Sequence, residues 1–317
     1  MVGIFPRAAV ILMMTSGAAY AQMPNAPQPP QQGPAQPVAD FAQVKSVPHG
    51  EVRVIWYRSA TYGVQRRMHI YLPPGYEKGA RRYPVLYLIH GGGQDDAAWT
   101  DDGQADFIMD NLVAAGQVKP MIVVMPDGSG VDGNGQGKEG PPPSLPEREK
   151  ASSGVRDGFI DDLRVSIIPY VDGHYRTRPG RESRAIAGFS FGGAEALWAG
   201  TGHPEAFAYI GVFSMGIQGG SNADPNAIAG SGSSLTRDGF VADRTLLFRD
   251  IKTTNHLTKL FWIGAGSDDQ VVGNGPRILA DTLTAHGIRH EYHETAGGHD
   301  YTNWRAYLRS FAQLLFK

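Results

Sequence analysis

Cysteine is absent from all 317 residues. That excludes disulfide cross-links, thiolate zinc sites, a cysteine nucleophile and lipid attachment through an N-terminal cysteine. An excess of one charge is missing as well: 29 Lys and Arg stand against 31 Asp and Glu, which leaves no basic footprint for nucleic acid or an anionic lipid surface. The apolar run Ala8 to Met14 falls short of the roughly 20 residues that a bilayer span requires. Metal-ligand spacing is lacking too. His290 and His293 are three apart, but a strand would turn them to opposite faces, and no helical His-Glu-x-x-His pattern accompanies them. No metal and no cofactor is therefore expected.

What is present begins with an export pattern. Arg7 precedes the apolar run, and small residues follow, ending in Ala19-Tyr20-Ala21, so residues 1–21 read as a signal peptide cleaved after Ala21. This predicts an exported, periplasmic or extracellular bacterial protein with no stable membrane anchor after cleavage. A Cys-free exported chain must rely on its core instead of cross-links. Residues 22–48 are dominated by Pro, Gln and Ala and read as a flexible linker. With 41% hydrophobic residues, 49–317 is long enough for one sizeable core.

Within that domain, Val52, Val54 and Trp56 alternate with Arg53, Ile55 and Tyr57 in a strand period of two, and Arg67 to Leu72 is a second strand. Thereafter short apolar runs alternate with helical stretches. The runs are Val85 to Ile89, Met121 to Met125, Arg184 to Ala187, Tyr209 to Phe213, Leu260 to Gly264 and His290 to Glu294. The helical stretches are Asp106 to Ala115, Phe159 to Tyr170, one after Gly193, Pro276 to His286 and one from Tyr301. This is the α/β class: a mostly parallel central sheet with helices on both faces and the two opening strands antiparallel at its edge. Two insertions, Gly128 to Gly154 and roughly Gly216 to Ala242, are rich in Gly and small polar residues or Pro and read as loops outside the core.

Three segments carry chemistry. Gly188-Phe189-Ser190-Phe191-Gly192, with a strand before it and a helix after it, has the form of a nucleophile elbow, whose tight turn lifts the serine hydroxyl above the sheet edge. Ile89-His90-Gly91-Gly92-Gly93 ends an early strand, where glycines let backbone amides turn inward toward an oxyanion. No Gly-Lys-Ser/Thr follows, which disfavours a phosphate loop. Gly92 and Phe191 are the expected amide donors, and His90 is expected to be a structural loop histidine. The third segment is a pair of late strand ends. Asp268 and Asp269 follow Leu260 to Gly264, and His299 follows His290 to Glu294 on a glycine-flexed loop. Ser190, Asp269 and His299 then stand in the order nucleophile, acid, histidine, with Asp268 as the other choice of acid. His49, His69, His174, His203, His256 and His286 read as surface or packing residues, and Asp161 with Asp162 as a solvated helix face.

The string Arg184 to Gly193, together with His299-Asp300-Tyr301-Thr302-Asn303-Trp304-Arg305, Lys119 to Gly128 and Ile167 to Val171, resembles the esterase family that includes feruloyl and acetyl-xylan esterases of carbohydrate esterase family one and enterochelin-esterase-like proteins. The resemblance runs from His49 to Lys317. It implies the α/β-hydrolase fold, Ser190 as nucleophile, His299 as base, Asp269 as acid after Gly266, and the amides of Gly92 and Phe191 as oxyanion hole. Trp99 resembles an aromatic near the acyl pocket and is carried over as a substrate-binding residue. One departure is visible, because the family commonly has methionine where this chain has Phe191.

The expectation is a secreted serine carboxylic-ester hydrolase acting on a small-molecule or polysaccharide ester, such as a feruloyl or acetyl group on xylan. Three other readings stand beside it: an acyltransferase of mycolyltransferase type, a siderophore esterase, and a non-catalytic carbohydrate-binding protein.

Overall fold

The computed structural model describes residues 39–129, 155–219 and 236–317. The signal-peptide expectation, the linker up to residue 38, and residues 130–154 and 220–235 of the two insertions lie outside the described residues. Among the described residues, eight strands form one sheet: β1 (Glu51–Arg58), β2 (Gln65–Leu72), β3 (Val85–Ile89), β4 (Ile122–Pro126), β5 (Arg184–Phe189), β6 (Tyr209–Phe213), β7 (Leu260–Gly266) and β8 (Glu291–Thr295). Their order is β1-β2-β4-β3-β5-β6-β7-β8. β1 pairs antiparallel with β2 and β2 with β4, whereas every pair from β4 to β8 is parallel.

The five strands from β3 to β7 are buried along their whole length. Continuous Val, Ile, Leu and Ala runs meet that condition because helices cover both faces of a parallel sheet. One face carries a core that includes Tyr87, Ile186, Leu197 and Ile263, and the other a core that includes Leu88, Trp99, Phe213, Trp262 and Phe311. The helix Phe191–Gly202 is buried on nearly every side, as its small apolar residues allow. The helix Tyr301–Ala312 instead shows a marked apolar stripe and packs it on the second core.

Four expectations require correction. The folded chain starts before His49: Asp40–Ala42 forms a 3-10 turn, Ala42 is buried, and Asn111 Nδ2 donates to the carbonyls of Phe41 and Gln43. The helix over Phe159 to Tyr170 is three pieces, Val155–Asp162, a π-helical turn Leu163–Ile167, and Ile168–His174. Pro169 has no N–H to give to the preceding turn, which breaks the regular ladder there. The second insertion does not run as loop to Ala242, because Thr236 caps a helix Arg237–Asp243 whose Phe240 is fully buried. Two further helices, Thr245–Arg249 and Ile251–Leu257, follow it. Lastly, Asp162 is not solvated: it is fully buried and accepts from Tyr57 Oη at 2.7 Å and Ser59 Oγ at 2.5 Å.

The edge strand β1 shows which face of a two-period pattern is used. Tyr57 is buried and reaches Asp162, while Val54 and Trp56 are each 52% exposed. Being apolar was not enough to be covered at the last strand of the sheet, where packing partners exist on one side only.

Candidate active site

All the singled-out segments lie at the carboxyl ends of β3, β5, β7 and β8, which parallel pairing brings to one edge of the sheet. Open α/β sheets bind their ligands in that crevice. Ser190 sits between β5 and the helix Phe191–Gly202 with φ 53° and ψ −122°. A non-glycine residue held in such a sparsely populated region stores about 1–3 kcal/mol and persists only where the surroundings impose it. The surroundings here are backbone. A Cβ on Gly188 would lie 2.3 Å from the Gly192 carbonyl oxygen, and one on Gly192 would lie 2.3 Å from that of His90. The Ser190 amide is tied to the Phe213 carbonyl at 2.9 Å.

The imidazole of His299 joins the serine to the acid. Its Nε2 is 2.9 Å from Ser190 Oγ and its Nδ1 is 2.8 Å from Asp269 Oδ2. An ionised carboxylate only accepts, so Nδ1 carries the proton and Nε2 is free to receive the serine hydroxyl. Asp269 Oδ1 accepts from the amides of Val271 and Val272. Burial pushes the Asp269 carboxyl up, but the bonded His299 ring and the Val272 amide outweigh it and hold the group below its ordinary value. Asp268 is exposed, with its nearest side-chain partner the neighbouring Ser267. The geometry therefore selects Asp269 of the two. His299 is held from behind: Asp300 caps the helix Tyr301–Ala312, Asn303 Nδ2 donates to the Gly298 carbonyl, and Trp304 meets the imidazole edge-on at 5.1 Å.

The glycine loop after β3 faces the elbow. A Cβ placed on Gly92 would be 3.6 Å from the Phe191 Cβ, so these two residues are neighbours, and Gly92 is exposed. Phe191 opens its helix, where the first N–H groups have no intrahelical carbonyl to meet. His90 does not reach the triad. The Gly128 amide lies 2.9 Å from its Nε2, Asp127 Oδ1 lies 3.3 Å from the same nitrogen, and its Nδ1 lies 2.8 Å from the Gly91 carbonyl, so the ring pins two loops together.

Trp99 is placed otherwise than expected of a substrate contact. It is 1% exposed, its Nε1 donates to the Ile89 carbonyl at 3.0 Å, and its ring packs edge-on against Phe189, Phe213 and Tyr301. The indole fills the core beneath the loop and offers no face to a ligand. His290 and His293 part company as the strand period demands: His290 turns to the Ile288 carbonyl, and His293 stacks on Trp262 at 4.9 Å.

Sequence reading missed Asp96, which is buried and holds both Arg67 and His69. The available signal was two basic residues at i and i+2 on one side of β2, a placement that calls for a buried acceptor. Gln94, bonded through Nε2 to Tyr301 Oη at 2.9 Å, had no such signal.

Comparison with known proteins agrees with this architecture. Residues 59–313 match the family model described as "Putative esterase". An endo-1,4-beta-xylanase/feruloyl esterase of Xylanibacter ruminicola is 31% identical over 90% of this chain and 34% of its own length. An esterase of Mycobacterium tuberculosis is 28% identical over 77% of this chain and 55% of its own. The chain thus spans about a third and about half of these two relatives. Among solved structures, a ferulic acid esterase of Anaeromyces mucronatus superimposes with TM-score 0.67 at 29% identity, covering 88% of this chain and 96% of that one.

Proposed function

The chain belongs to the esterase family, carboxylic ester hydrolases built on the α/β-hydrolase fold, and from that membership we propose that it is a serine hydrolase acting on acyl esters of carbohydrate, with feruloyl groups on xylan as the substrate class. The observation that carries this reading is the unbroken line Ser190 Oγ to His299 Nε2 and His299 Nδ1 to Asp269 Oδ2, at 2.9 and 2.8 Å. As Ser190 Oγ attacks the ester carbonyl, its proton passes to Nε2, and the imidazolium so formed is stabilised by the Asp269 carboxylate. The carbonyl oxygen becomes an oxyanion facing the amides of Gly92 and Phe191. His299 then returns the proton to the departing alcohol oxygen. Water, deprotonated by the same nitrogen, releases the acid from the acyl-enzyme.

The substrate class rests on two relatives named as feruloyl or ferulic acid esterases, at 31% and 29% identity. Export, which the Arg7, Ala8 to Met14 and Ala19-Tyr20-Ala21 pattern supports, would bring the enzyme to a polysaccharide too large to enter a cell. Ser190→Ala should abolish hydrolysis of a p-nitrophenyl acyl ester, leaving only weak residual catalysis. A variant at the parental rate would end the serine mechanism. Release of ferulate from feruloylated arabinoxylan in preference to acetate from acetyl-xylan is the expected outcome, and activity on neither would remove the carbohydrate assignment.

A further inference from the structure

The oxyanion loop poses a mechanical problem that the triad does not solve. Gly92 and Gly93 are exposed, and a glycine segment loses more conformational freedom on ordering than any other. A donor amide is useful only if it is held where the oxyanion forms. The loop is tethered on both sides of this pair. Upstream, His90 links the Gly91 carbonyl to the Gly128 amide. Downstream stands Asp96, whose side chain is 1% exposed.

Asp96 is bound more heavily than any turn would require. Arg67 Nε lies 2.9 Å from both of its oxygens, Arg67 Nη2 is 2.7 Å from Oδ1, and His69 Nδ1 is 2.7 Å from Oδ2. Arg67 Nη2 also reaches Asp95 Oδ2 at 3.1 Å, and Asp95 Oδ1 accepts from the Ala97 amide. Both donors come from β2, a strand that does not touch β3; β4 lies between them. The ion pair therefore spans a strand to fix the loop to the antiparallel side of the sheet. A second strut, Gln94 Nε2 to Tyr301 Oη at 2.9 Å, ties the same loop to the segment just after His299. Burial raises the Asp96 carboxyl, yet the bonds from His69 and Arg67 outweigh it and keep the group below its ordinary value. A charged carboxylate thus buried is retained where geometry is excellent and its partners are hydrogen-bonded.

We propose that Asp96, clamped by Arg67 and His69, is a positioning residue that holds the Gly92 amide in register with Ser190 and His299, so that the clamp contributes to transition-state stabilisation and not to substrate binding. The inference rests on the hydrolase reading above. Without the clamp, the loop keeps downstream only the single Gln94–Tyr301 bond, and a displacement of about 1 Å at a donor costs on the order of 10²-fold in rate.

The test is Asp96→Asn, which keeps the side-chain volume and removes the charge that Arg67 and His69 hold. Kinetics on p-nitrophenyl acetate and inhibition by benzeneboronic acid, a mimic of the tetrahedral oxyanion, are measured on protein shown to be folded by circular dichroism. We expect kcat to fall roughly 10- to 100-fold with KM within about threefold of the parent, and boronate affinity to fall in proportion to kcat/KM. A parental kcat, a change confined to KM, or a fall in kcat with boronate affinity untouched overturns the proposal. Should Asp96→Asn fail to fold, His69→Gln removes the imidazole and leaves the Arg67 pair intact. It is expected to give the same pattern more weakly, and a parental kcat in it overturns the proposal equally. A parent enzyme without Ser190-dependent esterase activity would sink the hydrolase reading and this inference with it, whereas an active parent matched by Asp96→Asn sinks the clamp alone.

Discussion

The elbow around Ser190 and the glycine loop around Gly92 meet at the same sheet edge, but they are held in place by different means. At the elbow, backbone packs on backbone: Gly188 lies against Gly192, and Gly192 against His90, with no room for a single added carbon. At the loop, a Cβ on Gly92 would meet only ordinary contact at 3.6 Å. There the fixing is done at a distance by His90, Gln94 and Asp96. Steric fixing is local and independent of pH, and it tolerates no side chain. Anchoring by side chains is long-range and can be titrated or mutated away without filling any space.

The largest effect expected lies with the third member of the crevice, His299, which is also anchored by a side chain, that of Asp269. Asp269→Asn should lower turnover on a p-nitrophenyl ester by roughly 10⁴-fold, because an amide in that place no longer holds the imidazole in its working tautomer. Asp268→Asn, one residue away and exposed, should stay within about twofold. Equal losses in the two variants would show that the choice of acid made by the geometry is wrong.

Next comes the sterically fixed half. Gly192→Ala forces a methyl group into the His90 carbonyl at 2.3 Å, and overpacking of that severity should cost about 3 kcal/mol or more. Urea denaturation is the measure. A variant as stable as the parent would mean that the elbow backbone yields easily and is not sterically fixed.

Acid acts more gently, on the side-chain anchors of the loop and of His299 and not on the steric fixing of the elbow. The carboxyls of Asp96 and Asp269 both titrate below their ordinary value of 3.8 in the folded protein. Their pairs therefore contribute stability that is fully present above the unfolded value and is lost as pH falls through the lower folded one. Urea midpoints measured from about pH 5 down to about pH 2.5 should fall less steeply in Asp96→Asn than in the parent. Superimposable pH profiles would refute the charged clamp. The smallest effect belongs to Gly92→Ala, which keeps the amide and meets no close atom; kcat should change by no more than about threefold.

The same division explains what could be read in advance. Val85 to Ile89 and Tyr209 to Phe213 were legible to the residue, because strands buried on both faces admit only an unbroken apolar run. Ser190 and His299 were legible because their turns need glycines beside them in chain order. By contrast, the helices from Arg237 to Leu257 were not read, since the segment opens in a stretch of glycine and small polar residues and its helices are short. The role of Trp99 is hidden in sequence, since an aromatic at that spacing looks the same whether it meets a ligand or, as here, the rings of Phe189 and Phe213. Asp162 looked solvated for a related reason: its partners Tyr57 and Ser59 are more than a hundred residues away.

Local composition alone determined the sheet, the tight turn at Ser190 and the order of the three triad residues, because hydrophobic period and steric tolerance act between near neighbours in the chain. Which carboxylate serves His299, how the Gly92 loop is braced and which face of β1 is covered were decided only by tertiary structure. Those outcomes depend on partners from separate strands, and charge and hydrogen bonding commit to a partner only when folding has brought it within about 3 Å.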